Sequence, residues 1–290
     1  MKVAILSGGD GWHVQELQRA LIARGHGATR LPIQRLIGRI EGPSVLHVGS
    51  VCLDDWDAVL VRTIPRGSLE QIIFRMDALH LLEARGVRVL NPPKAIERTV
   101  DKYYTSGLLA QAGLPTPRTV VCEQSDDALE AFEALGGDVI VKPLFGSMGL
   151  GMVRIESPDV AYRVFKALEL ERAVYYLQET IPHGGRDIRA FVLGGRVLAA
   201  MERVADGWRT NVAQGARVRP ARLTSEQEAL CLRAVEVVGA EYAGVDLLPG
   251  PDGTCYVLEV NGIPGWQGLQ TTTDRDIAAE IVAYLERTAV

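Results

Sequence analysis

The strongest constraint on the fold is an alternation that begins at the first residues. Val3-Ala4-Ile5-Leu6, Ala58-Val59-Leu60-Val61 and Val87-Arg88-Val89-Leu90 are short apolar runs of strand-forming residues. Between them, 12–24 carries Val14, Leu17, Leu21 and Ile22 at helical spacing before Gly25, and 69–85 is amphipathic before Gly86. Apolar strands alternating with such helices bury both faces of a parallel sheet. Asn91-Pro92-Pro93 ends the pattern, which predicts an N-terminal α/β domain over 1–93.

A second unit follows with a different rhythm. Residues 95–112 read as one linking helix, closed by Gly113-Leu114-Pro115-Thr116-Pro117. Strands are expected at 119–122, 139–142, 153–155 and 174–179, with helices over 126–135, capped by Ser125, and over 159–169. This α+β pattern predicts a small domain over 94–180. The remainder, 181–290, reads as a C-terminal antiparallel-sheet domain with two hairpins, a helix near 225–238 and a final helix over 277–287. At 290 residues the chain is long enough for each lobe to have its own core.

Composition excludes several classes of function. The chain is 47% hydrophobic and 23% charged, ordinary values for a globular protein. Its 31 basic and 36 acidic residues, net −5, give no general attraction to nucleic acid or an anionic membrane. The opening apolar run is too short for a signal peptide or a membrane span, and no later run is long enough, so a cytoplasmic location without a membrane partner is expected. Cys52, Cys122, Cys231 and Cys255 have neither metal-site nor redox spacing, and His13, His26, His47, His80 and His183 form no zinc motif.

Three segments carry chemistry. Lys142 ends a strand just before Gly146-Ser147-Met148-Gly149-Leu150-Gly151. Glycines let backbone N–H groups approach phosphate, and a neighbouring lysine neutralises its charge. A plain hairpin is the alternative, and neither the P-loop nor the dinucleotide fingerprint is present. Gly8-Gly9-Asp10-Gly11 is read as a structural turn. In 244–261, turn residues 249–253 join two strands; Glu259 and Asn261 share a face with Val257, while Leu258 and Val260 face the core. Pairing Pro249 with Thr254 places Asp246 opposite Val257, so three oxygen donors suited to a hard divalent cation converge. A solvent-facing polar hairpin is the alternative, opposed by the apolar residues around it.

In 186–203, Asp187 and Arg189 share one face of a hairpin turning at Gly194-Gly195. A strict two-residue turn pairs Asp187 with Glu202 and points Arg203 away; only a bulge or a strand end brings Arg203 into the site. Arg62 and Arg66 flank Thr63-Ile64-Pro65 beyond a strand's carboxyl end, where an acidic acceptor would bind or where loop arginines are simply solvated. Arg75 carries the same two readings.

In order, and over nearly the whole chain, these segments resemble the ATP-grasp superfamily, most closely its RimK-like amino-acid ligases. Thr99-Val100-Asp101-Lys102 resembles the segment that opens the family's nucleotide site, and Val141-Lys142-Pro143 its second ATP lysine. The run from Gly146 through Ser147, Met148 and Gly149 to Gly151 resembles the mobile phosphate-covering loop. Leu177-Gln178-Glu179-Thr180-Ile181 is similar to the interlobe hinge, whose backbone holds adenine. Arg186-Asp187-Ile188-Arg189 is similar to the Asp-Ile-Arg strand, where the aspartate lies near the ribose and the arginine faces the reacting phosphate. Trp208-Arg209-Thr210-Asn211 resembles the Arg-Ser-Asn segment. Gly244-Val245-Asp246 and Leu258-Glu259-Val260-Asn261 resemble the two magnesium-binding segments. Asn261-Gly262-Ile263-Pro264-Gly265 replaces the serine-rich turn of many relatives, a departure expected to alter loop shape and not metal chemistry.

The resemblance implies an ATP-grasp fold, mixed α/β and α+β, in which 1–93 is the pre-ATP-grasp domain and 94–180 includes the lid. It implies an ADP-forming carboxylate–amine ligase working through an acyl-phosphate. Lys142, Arg189 and Arg203 would be catalytic. ATP would meet Lys102, Lys142, Gly146, Ser147, Met148, Gly149, Gln178, Glu179, Thr180, Ile181, Asp187, Arg209 and Asn211. Asp246, Glu259 and Asn261 would hold Mg²⁺, with two ions expected and Mn²⁺ as a substitute. Glutamate is the expected amino acid. The acceptor is expected to be a tetrahydromethanopterin-type C1 carrier, the branch that 62–71 resembles, or a protein C-terminus. A glutathione-synthetase-like or lysine-biosynthesis ligase and a non-catalytic nucleotide-binding regulator are the alternatives; both lysines and the complete oxygen-donor set oppose the last. Family members imply a homo-oligomer, dimer or tetramer.

Overall fold

The computed structural model describes residues 1–40, 44–146 and 149–289. Elements are numbered in chain order. The first lobe holds β1 (Lys2–Ser7), α1 (Trp12–Ala23), β2 (Gly27–Pro32), β3 (Leu36–Ile40), β4 (Ser44–Val48), β5 (Val51–Cys52), β6 (Ala58–Val61), α2 (Leu69–Ala84) and β7 (Arg88–Leu90). Its parallel sheet has the order β2-β1-β6-β7, and β3, β4 and β5 form a separate antiparallel sheet. The sequence reading found β1, β6 and β7, whose residues are nearly all buried. It missed β2 at the sheet edge, where among Gly27–Pro32 only Leu31 is buried.

The linking segment is two helices, α3 (Pro93–Val100) and α4 (Lys102–Gln111), not one. Asp101 interrupts them: its backbone is extended, and its carboxylate accepts the Tyr104 N–H at 3.0 Å to cap α4. The next sheet has the antiparallel order β10-β9-β11-β8, built from β8 (Thr119–Cys122), β9 (Val139–Lys142), β10 (Val153–Ile155) and β11 (Tyr175–Glu179). Helices α5 (Ser125–Ala134) and α6 (Pro158–Leu170) cover one face around Phe132, Phe165 and Tyr175. Ser125 lies within α5 and does not cap it; its hydroxyl donates to Glu169 Oε1 at 2.8 Å.

The C-terminal sheet has the antiparallel order β14-β13-β12-β15-β16: β12 (Arg186–Leu193), β13 (Arg196–Val204), β14 (Arg217–Pro220), β15 (Tyr242–Pro249) and β16 (Cys255–Asn261). Alternation along β12 sends Ala190 and Val192 to one face, against α7 (Ser225–Val238), and Phe191 and Leu193 to the other. After the short α8 (Gln267–Gln270), α9 (Ile277–Thr288) returns to pack on α1. One continuous core joins Val3, Leu17 and Leu21 of the first lobe to Phe191, Ile281 and Leu285, while the other face of the first-lobe sheet has a core of its own around Leu6, Val59, Leu79 and Val89. Among the described residues no helix is long and apolar enough to cross a membrane.

Candidate active site

Two ammonium groups enter a cleft between the lid sheet and the C-terminal sheet. Lys142 ends β9, where Val139 and Val141 turn into the lid core and Lys142 takes the other face. It is buried, and its Nζ donates to Gln178 Oε1 at 2.5 Å. Gln178 donates in turn to Thr119 Oγ1 at 3.1 Å and Tyr176 Oη at 3.3 Å, and Tyr176 Oη pairs with Ser106 Oγ at 2.8 Å. Burial lowers the pKa of Lys142 to about 8; Lys102 adds to the effect, and Glu259 and Asp246 oppose it. Lys102 opens α4 and donates to Gly146 O at 2.8 Å. Burial lowers its pKa too, against the fields of Glu259 and Asp101.

Gly146 and Gly149 line the cleft; Ser147 and Met148, expected on the phosphates, lie outside the described residues. Gly149 has φ +69°, and a Cβ there would run into the Asn211 side chain. Arg209 Nη2 donates to Met152 O at 2.5 Å. Asn211 thus lies against the glycine loop, and Arg209 holds the residue that follows it. At the hinge, Glu179 and Ile181 line the cleft but Thr180 does not. The Glu179 carboxylate is held by Arg118, from the backbone N–H at 2.8 Å and Nε at 2.6 Å, and the Thr180 N–H donates to Asp138 O at 3.1 Å.

The opposite wall depends on two bulges. Across β12 and β13, Phe191 pairs with Ala199 but Val192 pairs with Val197, leaving Leu198 as an extra residue. Asp187 therefore faces Arg203, not Glu202, and Arg203 points into the site. Arg203, 4% exposed, gives Nε to Asp187 Oδ1 at 2.7 Å and Nη2 to Oδ2 at 2.5 Å; Thr210 Oγ1 adds a third bond at 2.6 Å. Burial raises the Asp187 pKa, helped by the charge of Asp246 and opposed by the hydrogen bonds from Arg203 and Thr210 and the charge of Arg203.

Across β15 and β16, Leu247 pairs with Val257 and Asp246 with Glu259, leaving Leu258 as the extra residue. The expected pairing of Asp246 with Val257 is overturned. Val257 joins Val260 in the core, and Leu258 lines the cleft beside Glu259. Asp246 accepts Arg189 Nη2 at 2.7 Å and Arg189 Nε, and Arg203 Nη2 lies 3.0 Å from its Oδ2. Burial alone would raise the Asp246 pKa; Arg189 and Arg203 outweigh it and hold the group at about 2. Arg189 does not itself line the cleft, since its guanidinium packs beside Gly244 and Asp246. Nor does Asn261, whose Oδ1 accepts the Ile263 N–H at 3.0 Å. The Glu259 carboxylate has no hydrogen-bond or ion-pair partner among the described residues. Among those residues no three His, Cys, Asp or Glu side chains converge as a metal-binding group.

Two first-lobe arginines are committed elsewhere. Arg62 is buried, with Nη2 on Pro264 O at 2.8 Å, and Arg75 is buried, with Nη1 on Pro65 O at 2.7 Å. Neither is a solvated loop arginine, and Arg62 Nε is buried without a hydrogen-bond partner; Arg66 is exposed. Sequence reasoning missed Tyr176, Ser106 and Thr210. Tyr176 had a signal, since it shares the Gln178 face of β11 two residues away.

A lid sheet and a second sheet closing on two lysines, above a parallel N-terminal domain, define an ATP-grasp ligase. The structure superposes on the ATP-grasp ligase PsnB complexed with minimal precursor with a TM-score of 0.77, at 25% identity over 99% of both chains. It matches a RimK domain protein from Sphaerobacter thermophilus with a TM-score of 0.77, at 21% identity over 98% of this chain and 99% of that one. The RimK-like ATP-grasp domain matches residues 99–285, and the chain belongs to that family. It is 36% identical to a probable alpha-L-glutamate ligase of Hydrogenovibrio crunogenus, over 100% of this chain and 96% of that protein. It is 34% identical to the tetrahydromethanopterin:alpha-L-glutamate ligase of Methanosarcina acetivorans, over 85% of each.

Proposed function

We propose that the protein uses ATP and Mg²⁺ to join L-glutamate to the carboxylate of a tetrahydromethanopterin-type C1 carrier. The single observation that carries the chemistry is the arrangement around Asp246: two guanidiniums on its carboxylate, Glu259 opposite it without a partner, and Lys102 and Lys142 in the same cleft. The acceptor rests on the similarity to ligases named for tetrahydromethanopterin.

An acceptor carboxylate oxygen attacks the γ-phosphorus, and the bond to the β-bridging oxygen breaks, releasing ADP. The glutamate amine then attacks the acyl carbon; the C–O bond breaks, inorganic phosphate leaves with the electron pair, and the nitrogen loses its proton. Charge gathers on phosphoryl oxygens and on the tetrahedral carbon's oxygen, so fixed cations matter most. Lys102 and Lys142 neutralise the triphosphate, Arg203 steadies the acyl-phosphate, and Arg189 acts behind them by holding Asp246 in place. The oxygen-only donors Asp246, Glu259 and Asn261 suit a hard divalent cation, which supplies Lewis-acid neutralisation of the phosphates. Glu259 is the readiest ligand, because Asp246 and Asn261 already accept hydrogen bonds.

The test is mass spectrometry of products from ATP, magnesium, glutamate and a panel of reduced pterin carriers and carboxyl-terminal peptides, with ADP measured alongside. Glutamyl addition to the carrier supports the proposal. Addition only to peptides moves the acceptor to protein C-termini, and absence of acceptor-dependent ADP across the panel overturns the ligase reading.

A further inference from the structure

Asn91 follows β7 directly and is fully buried, yet its partners all lie in the C-terminal domain. Nδ2 donates to Tyr242 O at 2.7 Å and Gly262 O at 2.5 Å. Oδ1 accepts the Glu241 N–H at 2.8 Å and the Tyr242 N–H at 3.1 Å. A primary amide has two N–H donors and an oxygen with two lone pairs, so the whole capacity of the side chain is used. Aspartate would set an oxygen against two carbonyls, and alanine would leave four backbone groups without this partner.

The place matters as much as the count. The β15–β16 ladder ends at the pair Gly244 and Asn261. Tyr242 and Gly262 lie just past that end, and Asn91 bridges them. Arg62 fixes the same end from a second point, with Nη2 on Pro264 O at 2.8 Å and Nη1 on Tyr242 Oη at 3.2 Å. Pro264 is packed with Arg189 against Gly244: a Cβ on Gly244 would lie 3.0 Å from Arg189 Nη1 and 3.2 Å from Pro264 Cβ. A displacement at the mouth of the hairpin therefore reaches Asn261 directly and Asp246 through Arg189.

We infer that Asn91 is a positioning residue through which the N-terminal domain sets the geometry of the hairpin carrying Asp246, Glu259 and Asn261. This rests on the metal-binding role proposed for that hairpin. Removing a residue that orients metal ligands typically costs about 10–100-fold in metal affinity or activity.

The test compares Asn91→Ser and Asn91→Asp with the parent in two measurements, after circular dichroism confirms folding. Calorimetry with a non-hydrolysable ATP analogue, with chelator and across a magnesium titration, reads the site without turnover. Steady-state kinetics reads kcat and the KM for glutamate. The expected result is nucleotide affinity in chelator within about twofold of the parent, a magnesium half-saturation raised about tenfold and kcat lowered about tenfold, with the KM for glutamate little changed. If the parent's nucleotide binding does not respond to magnesium, the metal role of the hairpin fails first and takes the inference with it. If the parent responds and folded variants match it in magnesium half-saturation and kcat, the positioning role is overturned. If neither variant folds, Asn91 is a folding determinant and the positioning role is likewise overturned.

Discussion

Arg203 faces Asp187 across the β12–β13 pair only because Leu198 is an extra residue in the register. Without that bulge the side chains of 199–204 would exchange faces. The result is a bidentate ion pair with both side chains at 5% exposure or less, with Asp246 3.0 Å beyond.

Breaking this pair should cost far more than a surface pair. Arg203→Met leaves the Asp187 carboxylate buried with only Thr210 as a side-chain donor, and loss of one partner from a buried pair costs about 3–5 kcal/mol. Urea denaturation checks the value. Arg203→Lys should recover part of the stability but little activity, because an ammonium cannot reproduce the two-pronged contact. A lysine variant with near-parental kcat would remove Arg203 from the chemistry.

Lys142 gives the pH dependence. Its folded pKa of about 8 lies below the ordinary 10.5, so the folded protein releases this proton first. The stability penalty of the buried ammonium is full below about 8 and is relieved as pH rises from 8 towards 10.5. Activity runs the other way, because the charged form neutralises phosphate. kcat/KM for ATP should fall through a one-proton limb near pH 8, reporting the free enzyme. In Lys142→Arg, which stays charged, that limb should vanish, although the absolute rate drops. Persistence of the limb in this variant would assign it to another group.

Much of the fold was legible because apolar strands and helix stops are local signals. The three buried strands of the first lobe needed only their own residues, whereas edge strand β2 is half solvated and carries no such run. The candidate site residues were legible as types but not as geometry. Both bulges shift register by one residue at Leu198 and Leu258, and neither leaves a glycine or proline behind to mark it. Arg62 and Asn91 act across about 150–200 residues of sequence, onto backbone groups that no local pattern reveals.

Glu259 should be the most sensitive oxygen donor, being the carboxylate without a partner. Glu259→Gln should retain nucleotide binding in chelator, lose the magnesium response and drop kcat at least about a hundredfold. Magnesium titration of analogue binding checks it. A normal magnesium response would remove Glu259 from the ligand set.

Gly149→Ala tests the contact between the glycine loop and the 208–211 segment. The left-handed backbone at φ +69° costs a Cβ-bearing residue about 1–2 kcal/mol, and the new methyl meets Asn211. The KM for ATP should rise several-fold while the melting temperature changes little, since the loop sits outside the cores. An unchanged KM would show that the contact does not influence nucleotide capture.

Isotope tracing follows transfer of the γ-phosphoryl group to the acceptor carboxylate atom by atom. With oxygen-18 in the acceptor carboxylate, one labelled oxygen should appear in inorganic phosphate for each amide formed, alongside ADP. Unlabelled phosphate, or label recovered in AMP with pyrophosphate as the other product, would contradict it.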